Sequence, residues 1–240
     1  MWHIIPGEAG CEYAAAHGCA AIVVDALRAS ATAAVLLDRG ARELMVVRDV
    51  DTARQARAAL PGALLLGERG GLPPEGFDGG NSPRLIPDVK DRVVVFTTTT
   101  GAGRLVAASG APVAAMGTTV NASAAARWAL GQECGVVVIP AGLANDPDFR
   151  ADEDWIAAVV IAMAAGEPVG EGAAEFVAWK ASIEEHGTLR LFQQTRNAAG
   201  LQALGLGDDV GWCAQRDVTD VVPVASGDSP WGVRVTGVRC

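Results

Sequence analysis

What most constrains this chain is a recurring unit. A short apolar run rich in β-branched residues is cut off by a polar or glycine-rich turn, and an alanine- and leucine-rich stretch follows. Residues 20–25 read AAIVVD, residues 63–66 ALLL, residues 92–97 RVVVFT and residues 135–139 GVVVI. Runs this short, apolar throughout and bounded by turn residues, suit strands buried on both faces better than helices. Between them, residues 26–38, 51–60, 104–109 and 121–130 have helical composition. Gly40 can stop the first of these, Asp51 or Thr52 can cap the second, and Asn121 or Ser123 the fourth. Shorter strands are expected at residues 43–47 and 113–116. Alternating strands and helices predict an α/β fold whose sheet is covered on both faces.

The order strand, turn, helix, short strand, helix, strand, loop occurs twice, over residues 20–83 and 92–150. It is consistent with an internal βαβαβ duplication at the level of elements inside one domain, 1–240, although residue identity between the halves is weak. Residues 152–165, DEDWIAAVVIAMAA, predict an apolar helix with an acidic start. Further helices are expected at 171–179 and within 192–204, ending near Gly205, and extended segments at 208–213 and 221–224.

A chain of 240 residues, half hydrophobic and one-fifth charged, is globular. A net charge of -9 argues against general nucleic-acid binding and leaves room for a local basic pocket. The five cysteines, Cys11, Cys19, Cys134, Cys213 and Cys240, are odd in number and contain no CxxC pair. They signal neither a disulfide framework nor a zinc knuckle, and suit a reducing cytosol. Three scattered histidines, His3, His17 and His186, do not make a histidine metal site or triad. No stretch reads as a signal peptide or membrane helix, so a soluble cytoplasmic protein is expected, with a homodimer the general expectation for its assembly.

Chemistry concentrates in the loops that follow the strands. Residues 67–83, GERGGLPPEGFDGGNSP, alternate permissive glycines with charged groups directly after a buried run. In α/β sheets, ligand sites gather in such loops. The loops together supply Asp25, Arg28, Ser30 and Thr32, then Glu68, Arg69, Glu75, Asp78, Asn81 and Ser82. They also supply Thr97 to Thr100 with Gly101 and Gly103, Thr118, Thr119 and Asn121, and lastly Asn145, Asp146, Asp148, Asp152, Glu153 and Asp154. Hard oxygen donors without histidine or thiolate suit Mg²⁺ better than zinc. Arginines and glycine-freed amides suit phosphate or carboxylate. Each piece also has a plainer reading: Asp25 as a helix cap, Glu68 and Arg69 as a salt bridge, the threonines as strand residues, and Asp152 to Asp154 as acids favoured at a helix start. Gly101-Ala102-Gly103 begins a dinucleotide fingerprint, but Val106 stands where its third glycine would be. Asp25-Ala26-Leu27 lacks the second aspartate of DxD phosphatases.

The run Asp25 to Ser30, GERGG with GFDGGNSP, Thr97 to Gly101 and the acidic pair Glu153-Asp154 before an alanine-rich helix resemble the 2-phosphosulfolactate phosphatase (ComB-like) family. So does the late segment with Asp208-Asp209-Val210, Trp212-Cys213 and Val222-Pro223. The resemblance covers nearly the whole chain. It implies a three-layer α/β/α fold with a mostly buried, mixed sheet. It also implies a Mg²⁺-dependent phosphatase acting on a small phosphorylated 2-hydroxy acid, (R)-2-phospho-3-sulfolactate, in a coenzyme M type of pathway. On this reading Asp25, Glu68, Glu153 and Asp154 are the candidate metal ligands, and Arg28 and Arg69 the anion clamps. Asp78 is the candidate general base. Asn81, Ser82, Thr98, Thr99, Gly101 and, from its loop position, Asn121 are candidate substrate contacts. Thr100 departs from the asparagine usual before that glycine. A nucleotide-dependent enzyme using Gly101 and Gly103, and a non-catalytic anion-binding relative, are the alternatives.

Overall fold

In the computed structural model, residues 1–143, 146 and 149–240 are described; Asn145 and Asp148, named above, lie outside them. The first half of the chain contributes β1 (Trp2–Ile4), α1 (Gly7–His17), β2 (Ala20–Val24), α2 (Ala29–Asp38), β3 (Glu43–Val46), α3 (Val50–Ala59) and β4 (Leu64–Gly67). Next come β5 (Val93–Thr97), α4 (Gly101–Ala108), β6 (Ala114–Met116), a short 3-10 turn (Thr119–Asn121), α5 (Ala122–Leu130) and β7 (Val136–Pro140). The chain ends with α6 (Asp152–Ala165), α7 (Ala173–His186), α8 (Thr188–Gln193), α9 (Arg196–Ala203), α10 (Asp208–Cys213), β8 (Val221–Asp228) and β9 (Val233–Arg239).

The described strands form one nine-stranded mixed sheet in the order β1-β7-β2-β6-β8-β9-β3-β5-β4. Its period-2 alternation builds two apolar layers. Ala21 and Val23 of β2, with Val94 and Phe96 of β5, face a core shared with α1, α2 and α4. Ala20, Ile22 and Val24 face the opposite way, towards α5, α6 and the later helices. On that same face, Met45, Leu65, Val93 and Val95 pack against α3. The fold is therefore three-layered, α/β/α, as expected.

The two recurring segments do not make two lobes. β2 lies between β7 and β6, and β5 between β3 and β4, all parallel. Each segment inserts its first strand between the second and third strands of the other. The β8–β9 hairpin joins the two parallel blocks by antiparallel pairing to β6 and β3. Residues 208–213 are helical rather than extended, with Asp208 and Asp209 in the first turn, where a helix dipole favours acids. The helix expected within 192–204 is α9, with the short α8 just before it, and the side chain of Thr195 caps α9 by accepting from Ala198 N.

The hairpin makes the two parallel blocks run in nominally opposite directions. Right-handed twist of about −20 to −25° per strand accumulates to roughly 100–125° over the five steps from β2 to β5. Even so, the loops at the carboxyl ends of β2 and β5 meet. A flat sheet would separate β2 and β5 by roughly 24 Å. Instead, Asp25, just after β2, accepts a 3.0 Å hydrogen bond at Oδ2 from Gly101 N, just after β5.

Candidate functional site

Asp25 follows the last residue of β2 and is held at both oxygens. Oδ1 accepts from Ala29 N at 3.1 Å, at the start of α2, and Oδ2 from Gly101 N, at the start of α4. The carboxylate is thus gripped by two helix N-termini, where partial positive charge favours an anion. Gly101 is required by space: a Cβ there would lie 2.5 Å from Asp25 Oδ2 and 2.6 Å from Ala29 Cβ.

Glu68 follows β4. A Cβ on Gly67 would collide with the Thr97 carbonyl, so only glycine lets the ends of β4 and β5 close up. The Glu68 carboxylate accepts from Thr99 N at 2.6 Å, from the Thr99 hydroxyl at 3.0 Å and from Gly71 N at 2.9 Å. Asp154, in the first turn of α6, accepts from Ala26 N at 2.8 Å and from Gly142 N at 3.1 Å. It ties the loop after β2 to the loop after β7.

Arg28 is fully enclosed. Nη1 donates to Asp209 Oδ2 at 2.6 Å, the two side chains being 2 % and 1 % exposed, and Nη2 donates to the Gly71 carbonyl at 2.8 Å. Asp25, Arg28, Glu68, Asn81, Thr99 and Asp154 line one cleft of about 270 Å³, together with Gly71, Asn197 and the leucines 27, 143, 201 and 204. The side-chain oxygen of Asn81 is buried there without a hydrogen-bond partner among the described residues.

The acids crowd one another. Burial, then repulsion from Glu68 and Glu153, pushes the Asp25 carboxyl up to about 6 against the hydrogen bonds that oppose it. Burial, then Asp25 and Glu153, raises Asp154 well above the usual carboxylate range. No cationic side chain is among the main influences on either. Among the described residues, no group of three or more His, Cys, Asp or Glu side chains is close enough to enclose a metal ion. A closed all-protein cage is therefore not what these carboxylates make.

Several expected site residues do not line this cleft. Asp78 N donates to Leu65 O, and its carboxylate accepts from Leu65 N and pairs with Arg57 on the outer edge of β4. Residues Asp78 and Gly79 run beside β4 as an edge cover, so Asp78 is outside the cleft. Arg69 points away from Glu68's side of the strand end. Its guanidinium donates to the carbonyls of Glu68 and Arg48 and to the Thr97 hydroxyl. Glu153 is turned from the cleft and accepts from the Asn197 side chain; burial pushes its acid up. Ser82 donates to Asp209 Oδ1 at 2.7 Å. The Thr98 hydroxyl accepts from Ala102 N at 3.0 Å, capping α4. Asn121 accepts from Thr118 N and donates to Val221 O, a buried brace for the β8 hairpin. Sequence reading missed Asp209 and Asn197 as parts of this region. Asp209 stands in the late segment that carries the family resemblance and Asn197 in a stretch expected to be helical, and neither signal places the side chain at the cleft.

The family model for 2-phosphosulpholactate phosphatase matches residues 8–228. The chain belongs to the 2-phosphosulfolactate phosphatase family. Members of this family are phosphoric monoester hydrolases. A probable 2-phosphosulfolactate phosphatase of Deinococcus radiodurans is 36% identical, over 88% of this chain and 90% of the relative. One of Carboxydothermus hydrogenoformans is 33% identical over 85% of each. The 2-phosphosulfolactate phosphatase of Methanothermobacter thermautotrophicus is 33% identical over 85% of each. Of the residues that carried the resemblance to this family, Asp25, Arg28, Glu68, Asn81, Thr99 and Asp154 meet in the cleft. No helix among the described residues is long and apolar enough to cross a membrane.

Proposed function

We propose that the protein hydrolyses the phosphate ester of a small 2-hydroxy acid, (R)-2-phospho-3-sulfolactate, to 3-sulfolactate and phosphate with Mg²⁺. The observation that carries this reading is the convergence of Asp25, Glu68, Asp154 and Arg28 on one cleft. Its volume of about 270 Å³ falls just under the usual range for drug-sized ligands, roughly 300–1,000 Å³, and suits a compact polyanion.

The donor set fits Mg²⁺. That ion keeps several waters and takes one or two carboxylates plus substrate phosphate oxygens, so it needs no protein cage. Asp25 and Asp154 would hold it, since each of their oxygens has one backbone partner and retains a further acceptor position. When bound, the ion offsets negative charge on the phosphoryl oxygens and acidifies a bound water.

The chain's own residues do the rest. Arg28 presents its unused N–H groups to an anionic group of the substrate. Glu68 fixes the Thr99 amide and hydroxyl and the Gly71 amide, shaping the wall that faces the phosphate. Asn81 offers an unpartnered amide oxygen to the substrate's polar end. An attacking water must lose a proton, and the carboxylates within the cleft are the acceptors in reach. Asp78, on the outer edge of β4, is not. Leu27, Leu143, Leu201 and Leu204 exclude bulk water and limit substrate size.

The test is phosphate release from 2-phosphosulfolactate and from phospholactate, with Mg²⁺ and then with EDTA. Release that requires Mg²⁺ is expected. No release from either substrate overturns the phosphatase reading, and release that survives exhaustive chelation overturns the metal assignment. Asp25→Asn and Glu68→Gln are expected to lower turnover at least about 100-fold with the fold retained.

A further inference from the structure

Among the described residues, the charged partner of Arg28 comes from the far end of the chain. Asp209, in the first turn of α10, takes Arg28 Nη1 on Oδ2 at 2.6 Å and the Ser82 hydroxyl on Oδ1 at 2.7 Å. Arg28 Nη2 is on the Gly71 carbonyl, and the Gly71 amide is on Glu68. Asp209, Arg28, Gly71, Glu68 and Thr99 thus form one unbroken hydrogen-bonded line. It runs from α10 through the loops after β2, β4 and β5, across the cleft wall.

We propose that Asp209 is a positioning residue that aims the Arg28 guanidinium at the substrate's anionic group, making α10 part of the active site; this rests on the cleft being the phosphatase site. The geometry argues for aiming rather than mere neutralisation. A guanidinium is a planar fork, and two of its N–H groups are committed at fixed points, so the direction of the remaining ones is set. Asp209 is itself held by a second donor, Ser82, and both its oxygens are used. It does not line the cleft, whereas Arg28 does. Its influence on an anion therefore passes through Arg28.

Aiming and neutralising predict opposite results for Asp209→Asn, which is close in shape but uncharged. If Asp209 only offset charge, its loss would leave Arg28 more attractive to anions and KM would fall. If Asp209 aims Arg28, KM for 2-phosphosulfolactate should rise about ten- to hundredfold, with a parallel loss of affinity for inorganic phosphate measured by calorimetry in Mg²⁺. A purely structural role would lower kcat through a smaller active fraction at unchanged KM. Asp209→Glu should restore part of the affinity. In Arg28→Lys, which cannot make both bonds, adding Asp209→Asn should change KM by less than about twofold, because contacting residues are non-additive. An unchanged or lower KM in Asp209→Asn, or full additivity with Arg28→Lys, overturns the proposal. If Asp209→Asn does not fold, Ser82→Ala decides: it frees only Oδ1, and KM should still rise severalfold, an unchanged KM being the refutation. Phosphate binding reads the clamp without turnover. Wild-type protein that binds phosphate through Arg28 yet releases none from 2-phosphosulfolactate would therefore sink the phosphatase reading, whereas unchanged phosphate affinity in Asp209→Asn would sink the aiming role itself.

Discussion

Alanine at position 101 is the smallest change that probes the centre of the site. Its Cβ would sit 2.5 Å from Asp25 Oδ2, 2.6 Å from Ala29 Cβ and 2.9 Å from Asp25 Cβ. Ordinary carbon contacts lie near 3.5–4.0 Å, so the start of α4 and the β2–α2 turn must part by about 1 Å. Neither side yields easily, because Asp25 is bonded to the backbone of both helices. Overpacking of this kind costs about 1–3 kcal/mol. Weakening the charge-assisted bond from Gly101 N costs about 1.5–3 kcal/mol more. Exchanging glycine for alanine in a helix returns up to about 1 kcal/mol. The net is about 1.5–5 kcal/mol, or a fall in Tm of roughly 3–20 °C for a chain of this length. A reacting group displaced by about 1 Å loses roughly 100-fold in rate, and Asp25 should be displaced that far. Gly103 lies on the same helix, and a Cβ there would meet nothing within 4 Å. Gly103→Ala should leave kcat within about twofold and hold or raise Tm. Differential scanning calorimetry and phosphate-release kinetics on both variants check this. A wild-type profile for Gly101→Ala, or a collapse for Gly103→Ala alone, would refute the steric argument and favour a dinucleotide role for the GxG.

Asp78→Asn keeps an acceptor for Leu65 N and loses the surface pairing with Arg57. Activity should stay within about twofold and stability fall by less than about 1 kcal/mol, as read by kinetics and urea melts; a large fall in kcat would return Asp78 to the mechanism. Asp49 caps α3 by accepting from Thr52 N and the Thr52 hydroxyl, each at 2.8 Å, so Asp49→Ala should cost about 1 kcal/mol without touching kcat. Those bonds hold the Asp49 acid below its ordinary value of 3.8. Its stabilisation is therefore full above that value and is lost as pH falls through the lower folded one, so the gap between wild type and Asp49→Ala should close in strong acid. Asn197→Ala strips a cleft-lining donor and leaves the buried Glu153 with Thr195 as its remaining side-chain partner. It should cost about 1–3 kcal/mol of stability and about tenfold in kcat/KM; unchanged kinetics would confine Asn197 to the scaffold.

Much of the frame was legible along the chain. The β-branched runs became β2, β5 and β7, and the acidic, apolar stretch became α6 with the expected ends, 152–165. These signals are local, because burial on both sides of a strand demands continuous apolar residues. The elements that escaped notice carry weaker local signals. α1 covers GEAGCEYAAAH, whose apolar side is mostly small residues. β9 alternates valines with arginines and threonine, as suits a strand whose pattern becomes meaningful only once it has partners. The hairpin it makes with β8 is what renders the sheet mixed and brings the two blocks together.

By itself, the sequence determined an α/β protein with strand-end loops rich in carboxylates, arginine and glycine, and it pointed to Asp25, Arg28, Glu68 and Asp154. What it could not decide was which way each side chain faces. Glu68 and Arg69 are neighbours at a strand end, where successive side chains alternate sides, so one enters the cleft and the other braces the backbone behind it. Glu153 and Asp154 are neighbours on a helix, about 100° apart, so Asp154 reaches the loops after β2 and β7 while Glu153 meets Asn197. Asp209 acquires its role only because α10 folds back onto Arg28 from 181 residues away. Composition places chemistry at the end of a strand, but facing and long-range pairing follow from how the strands twist and the helices pack, and only the tertiary structure contains that.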